Sequence, residues 1–429
     1  MSSVIVRRSI LNGSVRCPPS KSYTHRAVAV ASLAYGRSVI NNPLLARDTK
    51  ATIDGCRRLG SFIYLEQNNM DKIIVHGRHE FTMGYRVINA ENSGTTIRIL
   101  ASIASLVKEG NTMLYGDTSL NRRPMQPLLD ALKHLGVWCR SLADGTPPLL
   151  VNGGGIKGGR ASITGSISSQ FISALLIPSI YAKDSVEISI IDEQVSYPYI
   201  DATIAVMDRF SVKVSNDNYK HYYIDNRQEY KATEFTVPGD ISSAAILFAA
   251  GALAGDVTVH GLDFHLPQAD SRIIDILKAM NVYVKVSNDT VRVSSSDELA
   301  GGTFDLKASP DLLPVVSILA LKAKGKVEVR GVRHARVKET DRVANIAREL
   351  AKLGAEVKEY DDGLSIKAPE KVKSAVLEAY GDHRLFMALC IASLLADECI
   401  INGAESVDVS YPTFLSDIRA LGASIEEIN

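Results

Sequence analysis

The chain carries no net charge: 48 Lys and Arg side chains stand against 48 Asp and Glu. That balance excludes bulk electrostatic attraction to nucleic acid or to an anionic membrane surface. Aromatic residues are few, with a single tryptophan, Trp138, so a base-stacking track for single-stranded nucleic acid is not expected. Cysteine is scarce as well. The five present (Cys17, Cys56, Cys139, Cys390 and Cys399) are odd in number and show no Cys-x-x-Cys spacing, which argues against a disulfide framework. They read as reduced packing thiols of a cytoplasmic protein. Long apolar runs are missing: the stretch 385–396 lasts about a dozen residues, too short to span a bilayer. Residues 1–8 (MSSVIVRR) hold no apolar run of signal-peptide length. There is no Walker loop. The histidine pairs His76/His79 and His260/His265 have no acidic or thiol partner at ligand spacing, so no metal site is expected.

One glycine-rich motif needs separate treatment. Gly153-Gly154-Gly155-Ile156-Lys157-Gly158 satisfies G-x-G-x-x-G after a strand. The residues that follow, 159–165, alternate like a second strand and do not open a helix, whereas a dinucleotide site needs a helix N-terminus for the pyrophosphate. The motif is expected to form a hairpin turn.

What the chain does have is repetition. At a stride of roughly seventy residues, a helix end followed by a small or polar residue and a strand recurs six times. The marks are Leu59-Gly60, Leu135-Gly136, Phe210-Ser211, Met280-Asn281, Leu353-Gly354 and Leu421-Gly422. A second mark, a polar knot before an apolar helical run, falls at Ser20-Lys21-Ser22, Asn92-Ser93-Gly94-Thr95, Ser168-Ser169-Gln170, Gly239-Asp240, Pro310-Asp311 and Gly381-Asp382-His383. Each unit is long enough for strands plus two helices, so the repeat is a small α/β module. With 429 residues and 46% hydrophobic content, two or more domains are expected, most naturally three units plus three with a seam near 235–239. Helices after the knots, such as 244–254 and 171–181, are apolar nearly all round and should lie inside a domain, wrapped by sheet.

The placement of cations is the physical anomaly. Lys or Arg in the first turn of a helix costs about 0.3–1 kcal/mol against the backbone dipole. Yet Arg26, Arg98 and Arg384 each follow a polar knot and Arg342 follows Lys338-Glu339-Thr340, in what read as equivalent repeat positions, and Arg123 precedes Pro124 in a loop. With Lys21 and Lys338 added, the set points to a small multi-anionic ligand, because arginine forks and helix N-termini bind carboxylate and phosphate. For any one arginine, pairing with a neighbouring carboxylate such as Asp341 or Asp382 stays open. Two acids stand among these cations. Asp311 is a candidate base or a simple helix N-cap, and Glu339 lies between Lys338 and Arg342. Ser168, Ser169 and Gln170 offer neutral donors and acceptors for hydroxyls and phosphate oxygens.

In order, Lys21-Ser22 with Arg26, Asn92-Ser93-Gly94-Thr95 with Arg98, Arg123-Pro124-Met125, Ser168-Ser169-Gln170, the 336–342 segment RVKETDR and Asp382-His383-Arg384 resemble the 5-enolpyruvylshikimate-3-phosphate synthase family. The likeness runs from about Gly13 to Leu421. It implies an inside-out α/β barrel of two domains, each of three βαβαββ units with helices buried and sheets outside. Residues 1–18 and 238–429 would form one domain and 19–237 the other, with the active site in the interdomain cleft. It implies transfer of the enolpyruvyl group of phosphoenolpyruvate to the 5-hydroxyl of shikimate 3-phosphate, a step of chorismate and aromatic amino acid biosynthesis, without metal or organic cofactor. A cytoplasmic monomer is expected.

Site residues carry over from the resemblance. Lys21, Ser22, Arg26, Ser168, Ser169, Gln170, Ser196, Tyr199, Asp311 and Lys338 would hold shikimate 3-phosphate. Lys21, Gly94, Arg123, Gln170, Arg342 and Arg384 would hold phosphoenolpyruvate. Asp311 would take the 5-hydroxyl proton, Glu339 would protonate the methylene carbon, and Lys21 would assist. Two positions depart from the commoner pattern: His334 stands where many relatives have Asn, and Val409 where many have a phosphoenolpyruvate-binding Lys. The related UDP-N-acetylglucosamine enolpyruvyl transferases typically carry Lys-Asn at the first knot and a loop cysteine before Arg-Pro. This chain has Lys21-Ser22 and no cysteine in 110–124. A non-catalytic anion-binding relic is opposed by the presence of both acids, and an RNA-end module by the absence of a basic aromatic track.

Overall fold

The computed structural model describes residues 2–66, 69–78, 86–296 and 298–428. It separates into two compact units, one of residues 1–18 and 239–429, the other of residues 19–238. The described residues form six four-stranded sheets of mixed direction. One shows the pattern: Arg86–Asn89 lies parallel to Asn111–Tyr115, which runs antiparallel to Thr146–Asn152, which pairs antiparallel with Cys139–Ala143. In chain order this is βαβαββ. The same arrangement, a parallel pair at one edge and antiparallel pairs beyond it, recurs in the other five sheets.

Two sheets are completed by distant chain segments. In the first unit, Ser3–Arg7 fills the space between Glu398–Asn402 and Ser424–Ile428, and Leu11–Arg16 lies parallel to Gly255–His260. In the second, Glu234–Thr236 lies parallel to Gly36–Asn41.

Both sequence marks acquire a backbone cause. All six residues after the helix-end mark have positive φ: Gly60, Gly136, Ser211, Asn281, Gly354 and Gly422. This left-handed residue ends the helix and turns the chain into the next strand, and Ser211 and Asn281 adopt it without glycine's freedom. The polar knots supply helix caps. Ser20, Ser93, Ser168, Asp240 and Asp382 each accept a hydrogen bond from a backbone N–H in the first turn of the helix they precede.

The helices after the knots are interior. Ile241–Ala254 is buried along all 14 residues. Full burial of its Ile246, Leu247 and Phe248 contributes about 1.5–3 kcal/mol each before entropy is counted. The sheet approaches this helix so closely that a Cβ on Gly251 would lie 2.6 Å from the Val293 carbonyl oxygen.

Two expectations are corrected. The helix expected over 171–181 ends at Leu176, because Pro178 has no N–H to donate to Ala174, and the chain continues as a separate turn, Ser179–Tyr181. The glycine-rich segment 153–158 is not a hairpin. Thr146–Asn152 already has partners on both sides, so the following strand Gly159–Ile163 joins a different sheet, parallel to Val186–Ile190. That segment does lead into a strand, as read.

All five cysteines are buried and unbridged. Among the described residues no helix is long and apolar enough to cross a membrane, and no group of three or more His, Cys, Asp or Glu is arranged to hold a metal ion. His79 lies outside the described residues.

Candidate functional site

The candidate residues gather into two clusters, one on each unit. In the unit of residues 19–238, Lys21 is the first residue of the helix Lys21–Leu33, and its Nζ lies 2.5 Å from Asp48 Oδ2. Asp48 is buried in the first turn of the helix Arg47–Leu59. Sequence reasoning missed this partner. Its only local signal, an acid in a first turn, is explained by the helix dipole alone.

Gly94 opens the helix Gly94–Ala104. A Cβ there would sit 3.0 Å from Arg98 Nη1, 3.2 Å from Arg123 Nη1 and 3.3 Å from Gln170 Oε1. Arg98 donates from Nη1 to Gln170 Oε1 at 2.6 Å and lies over the Phe171 ring. Arg123, almost fully buried, donates from Nη2 to Asn92 Oδ1 at 2.7 Å and to Ser119 Oγ at 3.3 Å. Ser168 caps the helix Ser169–Leu176 by accepting from the Gln170 N–H, which brings Ser168, Ser169 and Gln170 onto one turn. Ser196, nearly buried, is held at φ +53°, a conformation that costs a non-glycine residue about 1–3 kcal/mol. It precedes the helix Pro198–Arg209, which carries Tyr199.

Arg26 corrects the sequence reading. It is the sixth residue of its helix and Arg98 the fifth of its own, so both lie in the second turn, where the dipole penalty has faded. Arg342 and Arg384 are the first and second residues of theirs, so the four arginines do not occupy equivalent positions. Arg26 is buried, and its guanidinium donates to Thr203 Oγ1 at 2.7 Å, the Ser22 carbonyl at 2.9 Å and the Tyr199 carbonyl at 3.0 Å. Burial lowers its pKa to about 10, so it stays charged at neutral pH.

In the other unit, Asp311 lies in the turn Pro310–Leu312, just before the helix Leu313–Leu319. The residue at the cap position of that helix is Leu312, with no side-chain cap. Asp311 instead meets three cations: Arg342 Nη1 at 2.7 Å, Arg384 Nη2 at 3.0 Å and Lys338 Nζ at 3.2 Å. Burial pushes its carboxyl upward, but Arg384, Lys338 and Arg342 outweigh that and hold it well below the usual carboxylate range.

Arg342 is the hub. Nε donates to Asp382 Oδ2 at 2.6 Å, and Nη2 donates to Glu339 Oε2 at 2.7 Å and to Asp382 Oδ1 at 3.3 Å. With the Nη1 bond to Asp311, four of the roughly five N–H donors of a guanidinium are engaged, and one Nη1 hydrogen remains. Burial opposes the charge, yet Asp382, Glu339 and Asp311 together raise the arginine pKa well above its ordinary value. Asp382 also caps the helix His383–Ser393, accepting from the Arg384 N–H at 2.9 Å. The pairing of Arg342 with Asp382 and of Arg336 with Asp341 is the carboxylate partnership left open by the sequence. His334 is nearly buried, and its pKa is lowered to about 3 by burial and Lys338 against the pull of Asp311, which leaves it neutral. Val409 is buried too.

Comparison with known proteins gives one consistent answer. The family model described as EPSP synthase (3-phosphoshikimate 1-carboxyvinyltransferase) matches residues 6–418. A 3-phosphoshikimate 1-carboxyvinyltransferase of Nitrosopumilus maritimus is 48% identical over 423 residues, covering 98% of this chain and 99% of the relative. One from Methanocaldococcus jannaschii is 42% identical, with 99% of each chain covered. Among solved structures, EPSP synthase from Acinetobacter baumannii superposes with a TM-score of 0.82 at 24% identity over the whole of both chains. The enolpyruvyl transferase NikO from Streptomyces tendae superposes at 0.78 with 18% identity, covering 100% and 99% of the two chains. These two show the fold. The two-domain α/β fold expected from the sequence is theirs, and by sequence the chain belongs to the EPSP synthase family.

Proposed function

We propose that this protein transfers the enolpyruvyl group of phosphoenolpyruvate to the 5-hydroxyl of shikimate 3-phosphate, with release of phosphate. The observation that carries the reading is Asp311, a partly buried carboxylate held ionised by three cations, with a second acid, Glu339, on the same arginine. Such a pair fits an addition that needs one proton removed and another supplied. Asp311 accepts the 5-hydroxyl proton as that oxygen bonds to C2 of phosphoenolpyruvate, while Glu339 protonates the methylene carbon. Glu339, now a carboxylate, takes a proton back from the new methyl group as the C2–O bond to phosphate breaks; the alkene is restored and phosphate leaves with the proton held on Asp311.

The reading draws on residues of both units. Lys21, Ser22, Arg26, Ser168, Ser169, Gln170, Ser196, Tyr199 and Lys338 hold shikimate 3-phosphate, and Lys21, Gly94, Arg123, Gln170, Arg342 and Arg384 hold phosphoenolpyruvate. Two-point binding of a carboxylate by Arg342 requires Glu339 to leave Nη2, and away from that ion pair Glu339 takes up the proton that it delivers to the methylene carbon. Five buried free thiols support a reducing, cytoplasmic setting, and a monomer supplies every residue named.

The test is phosphate release from phosphoenolpyruvate with shikimate 3-phosphate, run beside UDP-N-acetylglucosamine as the alternative acceptor. Release that depends on shikimate 3-phosphate is expected. Release with UDP-N-acetylglucosamine, or silence with both in a folded sample, refutes the reading.

A further inference from the structure

We propose that Asp270 is a positioning residue for this site, a carboxyl kept neutral beside Asp311 whose ionisation weakens anion binding at Lys338, Arg342 and Arg384. The inference rests on the reading of those groups as the anion-handling half of the site. No role was foreseen for Asp270 in the sequence.

Its place is tightly defined. Asp270 lies in the turn Ala269–Arg272 and is about 1% exposed. Ser309 Oγ donates to the Ala269 carbonyl at 2.6 Å, which ties this turn to the one carrying Asp311. Gln268 accepts from the Ile241 N–H at 3.0 Å and donates to the Gly239 carbonyl at 2.9 Å, which ties it to the start of the helix Ile241–Ala254. From that helix, Ser242 Oγ makes a short hydrogen bond to Asp270 Oδ2. Asp270 Oδ1 is buried with no hydrogen-bond partner among the described residues.

The charges around it are already balanced. Lys338, Arg342 and Arg384 are in contact with Asp311, Glu339 and Asp382, three cations against three carboxylates. No ion pair reaches Asp270 among the described residues. An ionised carboxylate with one hydroxyl donor and one bare oxygen is not tolerated at such a place, and the group neutralises instead. As an acid, Asp270 shares its proton with Ser242 and leaves Oδ1 as a carbonyl oxygen.

The facing groups agree. Burial and the Asp311 charge push Asp270 up to about 7, against the pull of Arg384 and the Ser242 hydrogen bond, with Asp240 adding a further upward push. Asp240 is the cap of the helix Ile241–Ala254, which contains no charged residue. Arg272 on the same turn, and Asp275 and Lys278 on the next helix, Ile273–Ala279, are exposed.

A group poised there couples protons to anions. An arriving anion makes a second negative charge beside it more costly, so binding above neutral pH draws a proton from solvent onto Asp270. By reciprocity, removing that proton weakens the anion. The limiting slope is about tenfold in affinity per pH unit.

The experiment uses the full chain and its Asp270→Asn and Asp270→Glu variants. Binding of phosphoenolpyruvate with shikimate 3-phosphate is measured calorimetrically above neutral pH in two buffers of different ionisation enthalpy. KM and kcat are measured across the neutral range. Wild type and Asp270→Glu are expected to take up a proton and show KM for phosphoenolpyruvate rising with pH, with kcat much less affected. Asp270→Asn is expected to lose the uptake and flatten the rise. Equal uptake and parallel profiles in wild type and Asp270→Asn overturn the proposal, as does a change in KM that is the same at every pH. An absence of turnover in wild type would sink the proposed function instead, while the calorimetry still judges Asp270. If Asp270→Asn does not fold, carbon-13 titration of aspartate-labelled wild type decides: one carboxyl titrating near neutral pH supports the proposal, and none overturns it.

Discussion

Asp270→Asn should make the protein more stable at neutral and alkaline pH, an unusual outcome for a buried residue next to an active centre. The sign follows from linkage. Asp270 titrates at about 7 in the folded chain against 3.8 for an ordinary aspartate, so the folded state binds its proton more tightly than the unfolded state. The stability this proton confers is complete below pH 4 and is lost as pH rises to about 7. Above that the loss is constant. The shift of roughly three pH units, at about 1.4 kcal/mol per unit, makes the loss about 4 kcal/mol.

Asparagine in the same place stands for the protonated acid: its Nδ2 can donate to Ser242 Oγ while Oδ1 occupies the bare position. The second Nδ2 hydrogen has no partner identified and costs about 1–3 kcal/mol. The net gain expected at pH 8 is therefore about 1–3 kcal/mol, a rise of several degrees in Tm. Calorimetric scans of both proteins from pH 4 to pH 8 should show stability curves that cross, with the variant less stable by about 1–3 kcal/mol near pH 4 and more stable by about the same amount at pH 8. A variant less stable than wild type by the same amount at every pH would refute the reasoning, because it would mean that Asp270 is already ionised and needed as an anion.

Three further outcomes follow from the same geometry. Asp311→Asn removes the base and leaves three cations facing an amide, so kcat should fall about 10²–10⁴-fold with the fold intact by circular dichroism, and near-normal turnover would overturn its role. Lys21→Met should abolish turnover and also destabilise the unit of residues 19–238, because Asp48 is left buried without its 2.5 Å partner. The Lys21→Met/Asp48→Asn double variant should recover the stability but not the activity, and recovered activity would refute the assignment. Gly94→Ala places a methyl group 3.0–3.3 Å from Arg98, Arg123 and Gln170, so KM for phosphoenolpyruvate should rise more than that for shikimate 3-phosphate; equal changes in both would count against Gly94 as part of the phosphoenolpyruvate pocket.

Much of the fold was legible because it is written in local backbone chemistry. A helix that must end in a left-handed residue leaves Gly60, Gly136, Ser211, Asn281, Gly354 and Gly422 at regular intervals. A helix that starts in the interior has to satisfy its first N–H groups with its own side chains, which explains Ser20, Ser93, Ser168, Asp240 and Asp382. Non-local choices were not legible. Alternating residues after Gly158 reveal a strand, but which sheet receives it depends on whether Thr146–Asn152 still has a free edge. The cations were found, but not what they hold.

The difference matters most at Arg342. Its three carboxylates come from turns at 311, 339 and 382, and only the turn at 339 is near it in sequence. A count of cations alone predicts an open anion site there, whereas the contacts describe a site already neutral. A neutral site takes an anion only if one of its own carboxylates moves away or one acid keeps its proton. Glu339 can do the first, as it is bound to one Nη2 hydrogen, while Asp382 is fixed as a helix cap. Asp270 does the second. Its local sequence gives no hint, because Gln268-Ala269-Asp270 before an apolar run reads like any helix start. Its chemistry comes from burial and from Asp311, 41 residues further along the chain, and both are properties of the folded protein.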